Sequence, residues 1–226
     1  GDQDVDALMS FYEIGGEEGG FESGIRVALQ AILASPEFVF RFETPKDEIK
    51  LGETYRISDR ALASRLSFFL WGTPPDDILV QLAERGELSH AAILEDQVRR
   101  MLDDPQAASL GSRFASQWLR LEDLDKVHPD RLIYPDFYEQ LADGMLVETE
   151  LFFNSLVRED RSVLDLFTAD YTYVNERLAK HYGIPGVAGD YFRRADYTDD
   201  KRKGILGHGS VLTLTSHAGR TSPVLR

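Results

Sequence analysis

The stretch SDRALASRLSFFLWG, residues 58–72, carries its own start and stop signals for an α-helix. Ser58 can accept hydrogen bonds from the free backbone N–H groups of a first turn, and Asp59 adds negative charge at the positive end of the helix dipole. Gly72 allows the left-handed turn that commonly ends a helix. The apolar residues between these signals cover more than one face, which predicts a helix largely enclosed by other helices.

Arg65 lies inside this apolar stretch. An arginine in a dry core needs a carboxylate or backbone carbonyls, because an unpaired buried charge is very costly. Glu148 and Glu150 interrupt another apolar helical pattern, at residues 136–157, and on a helix they point about 200° apart. We therefore predict that Arg65, Glu148 and Glu150 are structural buried charges and that one of the two glutamates is the ion-pair partner of Arg65. An anion clamp at Arg65 is the functional alternative.

Helical patterns bounded by cap and turn residues recur along the chain. They predict short helices before and after a glycine-rich turn at residues 15–20, a helix capped by Ser89, a helix over 105–121 that turns Phe114 and Trp118 inward, and a helix capped by Asn175. Residues 38–42 fit either an extended segment or a further helical turn, and residues 192–195 fit a strand. The predicted fold is all-α or mainly α, a multi-helix bundle-like body with small extended pieces around 38–57 and 171–195.

The charge of the chain restricts its partners. The formal net charge is −14, which argues against nucleic acid and anionic membranes as partners, and the short apolar runs predict no membrane insertion. Residues 201–226 differ from this acidic body, because they contain five basic residues and no acidic one. Such a tail either docks on the acidic body or binds an anionic ligand or partner.

The absence of cysteine excludes several kinds of site from this chain: disulfides, thiolate zinc sites, cysteine nucleophiles and covalent CxxCH haem attachment. No standard catalytic signature is present, so the sequence leaves open whether the chain is an enzyme. His208 and His217 lie in the basic tail without an acidic ligand, so we predict no metal site and no cofactor within this segment.

Arginine and hydroxyl side chains at the end of the chain suit a carboxylate, sulfate or phosphate. The predicted anion-binding residues are His217, Arg220, Thr221, Ser222 and Arg226. A turn that ends a helix, with an arginine bound to backbone carbonyls, is the alternative for this segment. The last residues, Pro-Val-Leu-Arg, carry no terminating signal, so we expect the natural protein to continue.

Several long motifs resemble a known family. These are SDRALASRLSFFLWGTPPDDILVQLAERGEL, ETELFFNSLVREDRSVLDLFTADYTYVNERLAKHYGI and VLTLTSHAGRTSPVLR, with GIRVALQAILASPEFVFR before them. In this order they resemble the consecutive planctomycete-type cytochrome-c-associated domains of unknown function (PSD and PSCyt type). The resemblance implies three parts: residues 1–43 as the C-terminal end of a preceding helical domain, 44–183 as the main helical domain, and 184–226 as the start of a following basic domain.

The resemblance also implies a cellular setting. It indicates a large periplasmic or secreted bacterial protein in which a separate segment carries the c-type haem. This acidic, cysteine-free chain is then a haem-free module whose partners are other domains of the same polypeptide, including the cytochrome c segment. Two alternatives remain: an enzyme domain of a redox protein that acts on a polymer or small anionic substrate, and a module that binds carbohydrate or cell-surface material.

Overall fold

The computed structural model describes residues 2–40, 52, 54–198, 201–217 and 220–221. The chain divides into two compact units, Gly1–Ile57 and Ser58–Arg226. Among the described residues, helices dominate both units and β-structure is limited to two short strand pairs. The prediction of a mainly α fold with small extended pieces is therefore confirmed. The three-part division of the chain at residues 43 and 183 stays a prediction.

The first unit is built on one broken helix, α1 (Asp2–Ala34). Gly20 has a φ of 72° and a ψ of −161°, a conformation that essentially only glycine adopts, and the helix breaks there. A Cβ at Gly15 or Gly24 would meet atoms of the opposite half at 2.6 and 2.7 Å, so the two halves pack closely because both positions are glycine. The predicted turn at residues 15–20 is too long, since the helix continues up to this break.

A single helical turn follows in the same unit, α2 (Pro36–Val39). The Ser35 hydroxyl accepts a hydrogen bond from the backbone N–H of Phe38 at 3.2 Å and so caps this turn. Of the two alternatives for residues 38–42, the helical turn is the one found up to Val39, and residues 41 and 42 lie outside the described part.

The second unit contains most of the helices. Its α-helical segments, within the described residues, are α3 (Asp59–Leu70), α4 (Asp77–Glu84), α5 (Ala91–Asp103), α6 (Ser116–Trp118), α7 (Glu139–Arg158), α8 (Asp165–Thr168), α9 (Glu176–Tyr182) and α10 (Gly209–Leu214). A π-helical stretch, Leu110–Ala115, leads directly into α6, and 3₁₀ turns occupy Pro105–Ala108, Leu121–Lys126 and Ile205–Gly207. No helix in the described part is both long enough and apolar enough to cross a membrane.

Helix α3 begins and ends where its sequence signals predict. The Ser58 hydroxyl accepts a hydrogen bond from Ala61 N at 3.2 Å, and Gly72 has a φ of 71°. The predicted enclosure of α3 is incomplete, however. Ala63, Ser67 and Leu70 are buried, and Leu62 and Leu66 pack half-buried against the core, whereas Phe69 is 56% exposed. Apolar residues on several faces do not by themselves show that each face meets protein.

The long helix α7 contributes to every part of the core of the second unit. Leu141 and Met145 pack in one cluster with α9, and Phe152 and Leu156 pack in a second with β-structure and α10. Phe153 lies against the third cluster, which joins α3, α4 and α5. The element at the centre of this unit is therefore α7, and α3 lies to one side of it.

Two antiparallel strand pairs complete the fold. Strand β1 (Tyr171–Val174) pairs with β2 (Arg193–Asp196), so that Tyr171 lies opposite Asp196. Strand β3 (Ser216–His217) pairs with β4 (Arg220–Thr221). The first pair lies in the region where the sequence predicts extended pieces, around 171–195, and β2 nearly matches the strand predicted at 192–195.

Gly204 joins the C-terminal segment to α8. Its backbone N–H donates to Ala169 O at 2.8 Å, and its φ of 51° with a ψ of −163° is a conformation reserved for glycine. A Cβ at this position would lie 2.2 Å from Leu166 O. The segment can approach α8 this closely only because residue 204 has no side chain.

We predict that Gly204→Ala lowers the free energy of unfolding by about 3 kcal/mol or more, because backbone strain adds to the clash. Gly186→Ala is the matched control: its φ of 79° is also positive, but no atom lies within 4 Å of the new Cβ. It should cost about 1 kcal/mol. Urea unfolding followed by tryptophan fluorescence measures both variants, and equal losses would show that the close approach at Gly204 is not present.

Candidate functional site

The predicted anion-binding residues lie at and beyond the second strand pair. The register of β3 and β4 sets His217 opposite Arg220 and Ser216 opposite Thr221. The Arg220 side chain is exposed. Ser222 and Arg226 lie outside the described residues. The pairing brings two of the five predicted residues into cross-strand register, and the anion site itself stays a prediction.

Arg65 is exposed on α3, so the prediction that it is a buried charge is wrong, whereas its pairing with Glu148 or Glu150 stays a prediction. The reason is the helical geometry. Ala63 and Ser67 lie on the buried stripe of α3. Arg65 is two residues from each of them, which on an α-helix is a rotation of about 160° by the shorter way around the axis. It therefore lies on the side of the helix opposite the core.

Glu148 is fully buried on α7, and its carboxylate is held by hydroxyl groups. Thr172 on β1 donates to Oε1 at 2.5 Å, and Tyr182 at the end of α9 donates to Oε2 at 2.6 Å. The Tyr182 hydroxyl in turn accepts from the backbone N–H of Gly209 at 2.7 Å. The guanidinium of Arg202 lies over the Tyr182 ring, 4.2 Å from its centroid. Glu148 thus binds together segments far apart in the sequence.

Burial raises the pKa of the Glu148 carboxyl to about 7, because the charged form loses its hydration. The hydrogen bonds from Thr172 and Tyr182 and the positive charge of Arg202 offset only part of that effect. Burial and the nearby carboxylate likewise raise the pKa of Tyr182 well above its ordinary value. Near neutral pH, the carboxyl is therefore partly protonated and Tyr182 keeps its proton.

His208 forms a second buried polar contact on the same helix. Thr149 Oγ1 lies 3.0 Å from His208 Nδ1, 2.7 Å from Ser210 Oγ and 3.1 Å from Met145 O. The Thr149 hydroxyl has one proton, so it can donate to only one of these three atoms. His208 Nε2 is buried and has no hydrogen-bond partner among the described residues. Burial lowers the pKa of His208 to about 3, so the ring is neutral.

Glu150 points to a different side of α7, as the predicted angle of about 200° requires. It is half-buried, and its Oε1 accepts from Ser116 Oγ at 3.0 Å. One turn further along α7, Asn154 accepts from Gly111 N at 3.0 Å and donates to Ala108 O at 3.2 Å. These bonds fix the π-helical stretch and α6 against α7. Burial raises the pKa of Glu150.

The fixed π-helical stretch and α6 present an exposed aromatic surface, which consists of Phe69, Phe114 and Trp118. Their exposed fractions are 56%, 43% and 52%. Phe114 stacks on Trp118 with ring centroids 6.1 Å apart and meets Phe69 edge-on at 5.7 Å. Phe153, which packs against the core, lies 6.0 Å beneath Phe114. The prediction that Phe114 and Trp118 face inward is wrong, and the result is a rigid apolar surface.

Sequence reasoning identified Glu148 but not the groups that hold it. Thr172, Tyr182 and Arg202 belong to segments whose local patterns indicate only a strand, a helix end and a basic tail. For His208, the sequence indicates only that it belongs to the basic tail. One sequence signal points to this buried network, namely a glutamate within an apolar run. It predicts that hydrogen-bond donors surround the carboxylate, but it does not indicate which residues they are. In the described part of the chain, no three His, Asp or Glu side chains are grouped as metal ligands would be.

Family models match most of the chain. A model described as PSD4: Protein of unknown function (DUF1592) matches residues 57–184, more than half of the 226 residues. The chain belongs to the PSD4 family. A second model, described as PSD5: Protein of unknown function (DUF1595), matches residues 1–43. The resemblance to the planctomycete cytochrome-c-associated domains is thereby confirmed. No curated protein matches this PSD4 chain, and no solved structure matches it.

The raised pKa of Glu148 predicts that its contribution to stability falls as the pH rises. The ordinary value is 4.5 and the folded value about 7, so the contribution is complete below 4.5 and is lost as the pH rises through 7. The free energy of unfolding of Glu148→Gln lacks this loss. As the pH rises from about 4 to about 8, the difference in free energy of unfolding between Glu148→Gln and wild type should therefore shift by roughly 3 kcal/mol in favour of the variant. Urea unfolding at a series of pH values measures this difference, and parallel curves would contradict it.

His208 predicts the opposite slope. Its ordinary pKa is 6.5 and its folded pKa about 3, so its contribution is complete above 6.5 and is lost as the pH falls through 3. We expect His208→Gln to flatten the acid side of the stability curve and to leave the alkaline side as in wild type. Each variant is the control for the other, because a general loss of packing would shift both sides equally.

Proposed function

We propose that this chain is a haem-free helical module of an extracytoplasmic bacterial c-type-cytochrome-associated protein. Its role is to pack against the haem-bearing cytochrome c segment of the same polypeptide. The contact is made by the exposed aromatic surface of Phe69, Phe114 and Trp118. The observation that carries the proposal is this cluster of three large aromatic side chains, each about half exposed, in the second unit.

The geometry of the cluster supports binding to a protein surface. Trp and other large aromatics dominate the binding energy of protein interfaces, especially where they are clustered and rigid. Here Phe114 is supported from below by Phe153, and the backbone that carries it is tied to Glu150 and Asn154. A preorganised surface loses little side-chain entropy on binding. Apolar residues that are exposed singly are not held in place by neighbours in this way.

Family membership and charge support the choice of partner. The PSD4 and PSD5 families are cytochrome-c-associated, and this chain has no cysteine to attach haem itself. The net charge of −14 favours approach of a partner with a basic surface. The same family association supports a periplasmic or secreted location.

Two alternative functions predict different binding partners for the chain. An exposed stacked pair such as Phe114 and Trp118 also suits the face of a sugar ring, which is the carbohydrate alternative. The enzyme alternative would need a reactive group open to substrate, whereas Glu148 is fully buried. The anion site predicted at His217, Arg220, Thr221, Ser222 and Arg226 is independent of the aromatic surface.

We predict that the chain binds the separately produced haem-bearing cytochrome c segment of its own natural polypeptide, and that Trp118→Ala and Phe114→Ala weaken this binding about tenfold or more. Isothermal titration calorimetry measures the affinity. Tyr191→Ala is the matched control, because Tyr191 is an exposed aromatic residue, 86% exposed, outside the cluster. It should bind as wild type does.

Circular dichroism establishes that each variant is folded before its affinity is compared. The proposal fails if wild type does not bind the haem-bearing segment, or if all three variants bind it equally. A parallel titration with soluble oligosaccharides tests the alternative. Loss of oligosaccharide binding in Trp118→Ala, without binding to the cytochrome segment, would replace the proposal with a carbohydrate-binding function.

A further inference from the structure

A cleft of about 560 Å³ opens in the second unit, away from the residues of the aromatic surface. One wall is the loop at residues 126–134, and the other runs from Arg202 along α10. Its volume suits a small organic molecule. Much of the lining is apolar or aromatic: Val127, Pro129, Tyr134, Phe137, Met145 and Leu212.

Arg202 gives this apolar cleft a fixed positive charge. Its guanidinium stacks over the Tyr182 ring at 4.2 Å, and Nη1 donates to Gly207 O at 2.7 Å. Among the described residues, no carboxylate forms a salt bridge with Arg202, and the buried Glu148 acts on it through its charge. A guanidinium has five N–H donors in a planar fork. Within the described part of the chain, one nitrogen of the Arg202 guanidinium donates a hydrogen bond, the one to Gly207 O.

The charged groups of the lining leave it with an excess of positive charge. Lys126 and Arg202 are basic, and the one acidic lining residue in the described part is Asp130, so two positive charges stand against one negative charge. The Asp130 carboxylate accepts from Leu132 N at 2.8 Å, and Lys126 also pairs with Asp123 outside the lining. His128 and His181 line the cleft as well, and burial lowers the pKa of the His181 ring, which favours its neutral form. The lining of the cleft thus differs from a chain whose net charge is −14.

We infer that this cleft binds a small organic carboxylate with an aromatic or branched apolar body. The guanidinium fork of Arg202 matches the two oxygens of a carboxylate, and such bidentate pairs are among the stronger hydrogen-bonded contacts. The apolar wall at Tyr134, Phe137 and Leu212 covers the body of the ligand. An inorganic anion would leave this wall without a contact. This site uses different residues from the anion site predicted at the end of the chain.

Benzoate is the probe that tests this site in the 226-residue chain. We expect benzoate to bind saturably by calorimetry or NMR titration, and acetate and benzyl alcohol to bind about tenfold more weakly or worse. Acetate keeps the carboxylate without the ring, and benzyl alcohol keeps the ring without the charge. Arg202→Lys keeps a positive charge but lacks the fork, and should weaken benzoate binding about tenfold.

A second variant tests the cleft without altering Arg202. Tyr134→Asp adds a negative charge to the lining at a loop residue that is 45% exposed, and should reduce benzoate binding strongly. Tyr191→Asp adds the same charge outside the cleft and should leave binding unchanged. Arg220→Ala should also leave it unchanged, because Arg220 belongs to the predicted tail site.

Three results would overturn the inference. The first is that the folded chain does not bind benzoate saturably. The second is that wild type and the folded variants Arg202→Lys and Tyr134→Asp bind benzoate with equal affinity. The third is that only Arg220→Ala loses benzoate binding. The last result would place the anion site in the tail. Each result leaves the cytochrome-binding proposal intact, since that proposal is measured through Phe114 and Trp118.

Discussion

The second unit depends on the burial of one carboxyl group, that of Glu148. Removing a carboxylate from water is costly, and the cost is offset only where donors surround it. Thr172 and Tyr182 provide these donors, and the Tyr182 hydroxyl also accepts a hydrogen bond from the backbone N–H of Gly209. These bonds connect β1, α9 and the start of α10 to the middle of α7. The C-terminal quarter of the chain is therefore joined to the main helix by polar contacts as well as by apolar packing.

Helix α7 arranges two surfaces through polar residues on different sides. On the side of Glu150 and Asn154, it holds the π-helical stretch that carries Phe114, and so supports the aromatic surface. On the side of Glu148, it holds Tyr182, over whose ring Arg202 lies at the cleft. A rigid core helix with polar residues on two faces can thus position both a surface for a protein partner and a cleft for a small ligand, which are the two functions proposed for this PSD4-family chain.

Local signals in the sequence were reliable where the interaction they describe is local. The cap at Ser58, the left-handed Gly72 and the cap at Asn175 are all found, since each involves residues within one turn of one another. The predicted cap at Ser89 is not: His90 holds the cap position of α5, and Ser89 N donates instead to Asp59. That bond spans two helices, and no local pattern contains it.

The sequence by itself determined the helical fold class, several helix ends, the family, and the need for donors around a glutamate in an apolar run. These follow from periodicity, cap chemistry and motif order, all of which are properties of neighbouring residues. Only the tertiary structure decided that Arg65, Phe114 and Trp118 face outward, that Glu148 meets Thr172 and Tyr182, and that Arg202 reaches a cleft. Periodicity shows which residues share a face of a helix, but what that face meets is set by the packing of distant segments.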